Sequence, residues 1–184
     1  MALSEKTLII IKNEAVRRRL VGRIIQQFED VGFKIITIKM VTATLEQARK
    51  HYNMGSDEKW LIGVGNKARE IYNNNESKIL KLFKTSKPIQ IGEIIYKWSV
   101  KQLAGKPIVI LILQGPLAVN KTKIIVGSTL PSEADLSTIR GKFASDSIER
   151  SNHQKRALHN VVHRSSSITE ARREISVWFP KIVD

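Results

Sequence analysis

The amino-acid sequence predicts an α+β fold in which helices cover one antiparallel sheet. Its segments follow the order strand, helix, strand, helix, strand, helix, short strand, helix. The run PIVILIL at 107–113 is continuously apolar, which is typical of a central strand that is buried on both faces. A doubly wound parallel sheet is the alternative. The absence of a glycine-rich turn between a strand and a helix weakens that alternative.

The first quarter of the chain predicts two strands separated by a helix. TLIIIK at 7–12 is short, apolar and β-rich, as in a buried strand. A helix is predicted over 15–30 because apolar residues recur on one face with the helical period, and Gly32 is placed to end it. FKIITIKMV at 33–41 alternates in part and predicts the second strand. The apolar face of the helix consists of Val16, Leu20, Ile24, Ile25 and Phe28.

A long helical region is predicted between the second and third strands. Thr44 is placed as the N-cap of a helix over 44–52. Residues 54–105 show a looser pattern that is mostly helical, with a turn at 73–78 and a loop at 84–93 that leads into another helix.

The last third of the chain predicts the remaining elements around the strand at 107–113. A helix over 116–126 precedes a turn-rich segment over 127–143. A polar helix over 145–158, a short strand NVVH at 160–163 and a helix over 168–179 follow. Pro180 ends the last helix.

The composition indicates a globular protein that attracts polyanions. The formal net charge is +14, from 31 Lys and Arg residues against 17 Asp and Glu residues. This charge suits nucleic acids, acidic membranes or nucleotides, although a solvated basic surface is a more frequent cause than a nucleic-acid groove. The absence of cysteine excludes disulfides and thiolate zinc sites and fits a reducing compartment. Because neither a signal peptide nor a membrane span is recognisable, we expect a cytoplasmic protein without a membrane partner.

His163 lies in the segment NVVHRSSSITEARREISVWFP at 160–180 and allows three interpretations. A lone histidine after two valines is most often structural. A metal site is the weakest interpretation, because His153 and His159 do not form a zinc-motif spacing with it. As a nucleophile, His163 needs a carboxylate that fixes its tautomer. Glu174 can supply it from eleven residues further on, close to three helical turns, with Ser165 nearby.

Groups that suit phosphate binding lie elsewhere in the chain. They are Lys12, Lys123, Thr129 and Arg140. A histidine nucleophile with such a cationic cradle points to phosphoryl transfer, and the absence of a Walker motif excludes P-loop chemistry.

Several separated motifs resemble, in the right order, those of the nucleoside diphosphate kinase family. The opening EKTLIIIKNEAVRRRLVGRIIQQFEDVGFKIITIKMV resembles the family's first strand, helix and strand. HY at 51–52, GPLAV at 115–119 and VGSTLPSEADLSTIRGKF at 126–143 follow. The segment at 160–180 resembles the signature around the family's phosphorylated histidine. The resemblance covers almost the whole chain and favours the nucleophile interpretation of His163.

The resemblance implies a ferredoxin-like βαββαβ sandwich with a four-stranded antiparallel sheet, in a single domain over 1–184. It also implies two insertions, a mostly helical one at about 73–106 and one at 144–159, as in longer family variants from archaea. The family transfers the γ-phosphate of a nucleoside triphosphate such as ATP to a nucleoside diphosphate. The reaction is ping-pong and passes through a phosphohistidine.

The resemblance further implies a cofactor, an assembly and partners. Mg²⁺ arrives on the nucleotide phosphates, so no metal-binding residue is assigned. Nucleoside di- and triphosphates are the expected ligands, and a homo-oligomer, usually a hexamer, is the expected assembly. Nucleic acid is a secondary possibility that follows from the net charge.

By the same resemblance, the catalytic residues are His163, Lys12, Ser165 and Glu174. Lys12 contacts the ribose 3′ hydroxyl and the transferred phosphate, while Ser165 and Glu174 hold the histidine ring. The implied nucleotide-binding residues are Lys12, Tyr52 near the histidine, Trp60 under the base, Lys123, Thr129 and Arg140 on the phosphates, and Asn160 on the sugar.

Among the positions that depart from the family's pattern, four are tied to the nucleotide or the histidine. Lys123 stands where arginine is usual, which keeps the charge but loses the bidentate fork. Arg164 replaces the usual glycine after the histidine and adds bulk and charge at the mouth of the site. Ser166 and Met54 stand where acidic residues near the nucleotide's magnesium are common.

A second function from another class stays open. The same fold can serve as a basic nucleotide- or nucleic-acid-binding module with weak catalysis. The net charge, Arg164 and the missing carboxylates motivate this alternative, whereas the joint presence of the catalytic residues argues against it.

Overall fold

The structure, a computed structural model, describes residues 4–53, 55 and 57–182. Met54, where the sequence suggests a lost carboxylate, lies outside the described residues. In the described part of the chain, no helix combines the length and apolar character needed to cross a bilayer.

The described strands form one sheet. They are β1 (Ser4–Ile11), β2 (Lys34–Thr42), β3 (Pro107–Pro116) and β4 (Val162–Arg164). Their order is β2–β3–β1–β4, and every neighbouring pair is antiparallel. Helical connections join β1 to β2 and β3 to β4, which gives the ferredoxin-like arrangement. The predicted α+β fold is therefore confirmed, and the doubly wound parallel alternative is wrong.

Ten α-helices lie in the described residues, in three groups between the strands and one after them. Between β1 and β2 are α1 (Asn13–Arg17) and α2 (Val21–Glu29). Between β2 and β3 are α3 (Leu45–Tyr52), α4 (Glu58–Ile71), α5 (Glu76–Phe83) and α6 (Pro88–Leu103). After β3 come α7 (Ala118–Val126), α8 (Ile139–Phe143) and α9 (Ile148–His153), and α10 (Ile168–Trp178) follows β4.

The sheet separates two layers of core because side chains alternate along each strand. On one face, Ile9 and Ile11 pack with Phe28 of α2 and Val126 of α7. On the other face, Leu8 and Ile10 join a cluster that includes Leu103 of α6 and Ile175 of α10. Burial on both faces explains the continuous apolar run of β3, and the sheet order confirms that β3 is central.

The helix predicted over 15–30 is two helices, so that prediction is wrong. Arg19 has a φ of 57° and ends α1 in the left-handed conformation. Its N–H donates to the Val16 carbonyl, and the Leu20 N–H donates to the Ala15 carbonyl, both at 3.0 Å. This is the Schellman pattern of a helix end. The periodicity hides the break because both helices bury their apolar residues against the same face of the sheet.

The helix predicted over 145–158 is also too long, since only α9 is helical there. Asp146 explains the difference. Its carboxylate accepts from Arg156 Nη2 at 2.9 Å and from the His159 backbone N–H at 2.9 Å. These contacts fold the segment back on itself, which brings Ala157 and Leu158 to the wall of a cavity.

Two glycines fix the position of α6, which lines the same cavity. A Cβ atom on Gly65 of α4 would lie 1.9 Å from the Pro88 carbonyl oxygen, and one on Gly92 of α6 would lie 2.1 Å from that of Leu61. Only glycine permits this close approach of α4 and α6. The prediction of helix N-capping by Thr44 is confirmed by a capping box with Gln47 at the start of α3.

Candidate active site

A cavity of about 340 Å³ lies beside β4, beyond the end of β1. Lys12 enters it from the end of β1, His163 from β4 and Arg140 from α8. Another part of the wall comes from α6 and from the segment before β4, both within ranges predicted to be insertions. The residues of this part are Ile95, Ser99, Gln102, Ala157 and Leu158.

His163, Glu174 and Ser165 form one hydrogen-bonded unit. His163 Nε2 lies 2.9 Å from Glu174 Oε1. Ser165 Oγ donates to the other carboxylate oxygen at 2.6 Å. Glu174 is 1% exposed, so both contacts form away from bulk water. The sequence spacing predicted that Glu174 faces the ring, and the structure contains that contact.

This contact determines which ring nitrogen is available for chemistry. A carboxylate accepts hydrogen bonds, so Nε2 carries the ring proton and Nδ1 keeps its lone pair. Among the described residues, Nδ1 has no protein hydrogen-bond partner. Burial and then the positive charge of Lys12 lower the pKa of His163 to about 3. The imidazole is therefore uncharged at neutral pH, as a nucleophile must be.

The ring of His163 should stay uncharged in mildly acidic solution. Because burial lowers its pKa to about 3, the proton binds only well below the ordinary value of about 6.5. We expect no titration of the His163 ring signals between pH 8 and pH 5 in an NMR experiment, with His163→Gln used for assignment. A titration midpoint near the ordinary value would contradict this expectation.

His51 supports the His163 ring from α3. The two ring centroids are 4.4 Å apart at an interplanar angle of 81°. Trp178 Nε1 donates to His51 Nδ1 at 3.2 Å, so His51 is also held in one orientation. Donor atoms of His51, His163 and Glu174 lie within 4.8 Å of one another, close enough for a metal ion. Their existing hydrogen bonds and buried ring nitrogens favour support of the ring over Mg²⁺ binding.

Lys12 is held by two amide side chains. Its Nζ donates to Asn160 Oδ1 at 2.7 Å and to Gln102 Oε1 at 3.3 Å. Gln102 in turn donates to the Leu158 carbonyl at 3.0 Å, which ties α6 to the segment before β4. Burial lowers the pKa of Lys12 to about 8, an effect that Glu14 opposes. The ammonium is thus charged at neutral pH but close to losing its proton.

Arg140 is anchored to the backbone around the cavity. Its guanidinium donates to the carbonyl oxygens of Gly127 at 3.0 Å, Val162 at 2.9 Å and Asn160 at 3.3 Å. Burial, followed by the charge of Arg164, lowers the pKa of Arg140 to about 10. Arg140 therefore presents a permanent positive charge at neutral pH in a fixed position near His163.

The remaining nucleotide-binding candidates divide into two pairs. Tyr52 and Thr129 line the cavity. Trp60 lies in the first turn of α4 and Lys123 is exposed on α7, and neither lines the cavity.

Sequence reasoning missed Gln102 as a cavity residue. It contacts Lys12 across 90 positions of sequence. In the sequence, Gln102 lies at the end of a helix-like segment, and that pattern does not specify a partner.

Comparison with known proteins establishes the family. The family model described as "Nucleoside diphosphate kinase" matches residues 5–63 and 66–182. The chain belongs to the nucleoside diphosphate kinase family. A nucleoside diphosphate kinase from Pyrobaculum aerophilum is 40% identical over 175 residues, covering 95% of this chain and 94% of the relative.

Solved nucleoside diphosphate kinase structures have the same fold. The crystal structure of an NDP kinase from Pyrobaculum aerophilum matches with a TM-score of 0.91 at 37% identity, covering 97% of each chain. A transition-state mimic of the nucleoside diphosphate kinase from Borrelia burgdorferi, with bound vanadate and ADP, matches with a TM-score of 0.74 at 28% identity. That match covers 99% of this chain and 92% of the Borrelia chain.

Proposed function

We propose that the protein is a nucleoside diphosphate kinase that transfers the γ-phosphate of a nucleoside triphosphate through a phosphohistidine at His163. The observation that carries this proposal is the contact of Nε2 with Glu174, at 2.9 Å. It leaves Nδ1 as the nucleophilic atom in a cavity that also contains Lys12 and Arg140. Membership of the family supports the same reaction.

In the first half-reaction, the Nδ1 lone pair attacks the γ-phosphorus. The new N–P bond forms as the bond from phosphorus to the β,γ-bridging oxygen breaks. The nucleoside diphosphate leaves with that electron pair. In the second half-reaction, a terminal β-phosphate oxygen of another diphosphate attacks the same phosphorus, and the N–P electrons return to Nδ1. Both nucleotides use one site in turn, which explains a ping-pong order.

The surrounding residues stabilise charge at each stage. Positive charge develops on the imidazole when Nδ1 bonds to phosphorus, and the Glu174 carboxylate at Nε2 stabilises it. Lys12 and Arg140 face the charge that spreads over the phosphoryl oxygens. Because these cations are held by hydrogen bonds before substrate binds, little reorganisation accompanies the reaction.

The other sequence-predicted residues complete the proposed nucleotide site. We expect Asn160 to contact the sugar and Thr129 to contact the phosphates, while Tyr52 lines the cavity near His163. Trp60 at the base and Lys123 at the phosphates stay predictions. Because neither residue lines the cavity, their roles have less structural support than those of Asn160 and Thr129.

Mg²⁺ fits this site as a companion of the substrate phosphates. Mg²⁺ prefers oxygen ligands, keeps several waters and often binds through phosphates. Glu170 is the carboxylate among the described lining residues, and it accepts hydrogen bonds from Ser166. The lining therefore lacks an all-protein Mg²⁺ cage in the described chain. When bound, Mg²⁺ neutralises phosphate charge, while the proposed protein contacts to the phosphates come from Lys12, Thr129 and Arg140.

The assembly is proposed from the family resemblance alone, and the location repeats the expectation from the sequence. We expect a homo-oligomer, most often a hexamer in this family, and a cytoplasmic protein. Native mass spectrometry of the purified chain tests the assembly.

Labelling with γ-labelled ATP and Mg²⁺ tests the proposed reaction. We expect the protein to acquire a label that is acid-labile and alkali-stable, as a phosphohistidine is. Added GDP should remove the label and produce labelled GTP. A protein that binds ATP but takes up no label would contradict the proposed function. If it also bound nucleic acid with a steep salt dependence, the binding-module alternative would be favoured.

A further inference from the structure

Arg164 carries a guanidinium group at a position where the family usually has glycine. It follows His163 on β4 and pairs with Ile9 in the sheet register. The residue is half-buried and is among those that line the cavity with His163 and Arg140. Burial lowers the pKa of Arg164, and the charge of Arg164 lowers the pKa of Arg140 in turn. Arg140 and Arg164 therefore both contribute positive charge to the cavity.

The hydrogen bonds of Arg164 leave most of its donors available. A guanidinium has five N–H donors. Arg140 commits three of its nitrogens to backbone carbonyls. In the described part of the chain, Arg164 makes one hydrogen bond, from Nη1 to the Ser165 carbonyl at 2.9 Å, and its Nε is buried without a partner. Because Nε is closed to solvent, the donors left for an anion are those of Nη2 and the second N–H of Nη1.

No carboxylate of the described residues neutralises Arg164 within ion-pair distance. Glu170 is near enough to oppose the lowering of the Arg164 pKa by burial. Its carboxylate, however, accepts from the Ser166 backbone and hydroxyl groups and lies 3.9 Å from Arg173. The positive charge of Arg164 thus remains available to an anion in the cavity.

Phosphate chemistry gives this free guanidinium a role. Its planar fork matches two oxygens of a phosphate, and a lysine ammonium does not. Lys123, at the position where the family usually has arginine, is exposed and does not line the cavity. Arg164 therefore supplies a guanidinium charge that lowers the pKa of both His163 and Arg140, although position 123 supplies none to the cavity.

Resting on the proposed function, we propose that Arg164 is a further catalytic residue that donates hydrogen bonds to the oxygens of the phosphoryl group as it moves to and from His163. The covalent step is unchanged, since Arg164 exchanges no proton or electron pair. Its contribution is to stabilise the charge spread over the equatorial oxygens, which is greatest during transfer.

Binding of vanadate, a mimic of the transferred phosphoryl group, tests this role without requiring turnover. We expect Arg164→Met to weaken vanadate binding to the protein–ADP complex by about tenfold or more, because a charge-assisted donor pair is lost. Binding of ADP alone should change by less than about threefold, because Arg164 acts at the transferred group. Arg17→Met, on the exposed face of α1, removes one positive charge away from the site and serves as the control.

Rapid-quench measurement of phosphohistidine formation gives the catalytic readout. Arg164→Met should slow the labelling step by about 10² to 10³-fold with a smaller effect on the half-saturating ATP concentration. Arg164→Lys should recover part of the rate, since it keeps the charge but loses the fork. The proposal is overturned if Arg164→Met and Arg164→Lys, both folded by thermal unfolding, bind vanadate and label as the wild type does. Failure of the wild type itself to label would instead refute the proposed function, and the vanadate result would still decide the role of Arg164.

Discussion

Replacement of His163 by alanine is expected to abolish phosphoenzyme formation. The alanine side chain has no lone pair to attack phosphorus, and His163 is the one imidazole among the described residues that line the cavity. His51 is the nearest other imidazole, but its Nδ1 accepts from Trp178 and its Nε2 is buried. We therefore expect phosphotransfer to fall by at least about 10⁴-fold, as when other covalent nucleophiles are removed.

Two controls accompany this test. ATP binding should persist in His163→Ala, because Lys12, Asn160 and Arg140 keep their mutual contacts around the cavity. His153→Ala, an exposed histidine on α9 outside the cavity lining, should label normally. Undiminished labelling of His163→Ala would place the nucleophile elsewhere and end the proposed mechanism.

Replacement of Lys12 by methionine is expected to slow phosphotransfer by about 10² to 10³-fold, as the loss of a preorganised donor to a developing anion does. The ammonium is fixed before substrate binds, by Asn160 at 2.7 Å and Gln102 at 3.3 Å. Methionine fills a similar volume but removes both the charge and these hydrogen bonds. The exposed Lys121→Met on α7 removes a lysine charge without touching the cavity and is the matched control.

The pH dependence of the wild type gives Lys12 a second signature. Burial lowers its pKa to about 8, so the free enzyme loses this positive charge as pH rises through that value. We expect kcat/KM to decline above about pH 8, since kcat/KM reports groups of the free enzyme. The residual activity of Lys12→Met should lack this decline. If the decline persisted unchanged in Lys12→Met, a group other than Lys12 would be its cause.

Features that depend on local sequence could be predicted. The apolar run at 107–113 determined the central strand β3, because a strand buried on both faces has no polar position. The approach of Glu174 to His163 could also be predicted, since both residues lie within one strand–loop–helix unit. The Thr44 cap could be predicted for the same reason, because it depends on residues only three positions apart.

Features that depend on distant partners could not be predicted. Gln102 and Lys12 are 90 positions apart, and nothing in either neighbourhood specifies their contact. The segment near Asp146 has a helical composition, but its carboxylate binds Arg156 and the His159 N–H, which competes with a continued helix. The sequence shows only that Arg164 is unusual for the family at its position. Which of its donors remain unpaired depends on the surroundings of β4 in the fold.

In the proposed mechanism, Nδ1 of His163 is the atom that carries the phosphoryl group. Phosphorus NMR of the protein phosphorylated by ATP, denatured in alkali and compared with both isomers of phosphohistidine, tests it most directly. Because Nε2 donates to Glu174, we expect a single resonance from the isomer phosphorylated at Nδ1. A resonance from the Nε2 isomer would contradict the account.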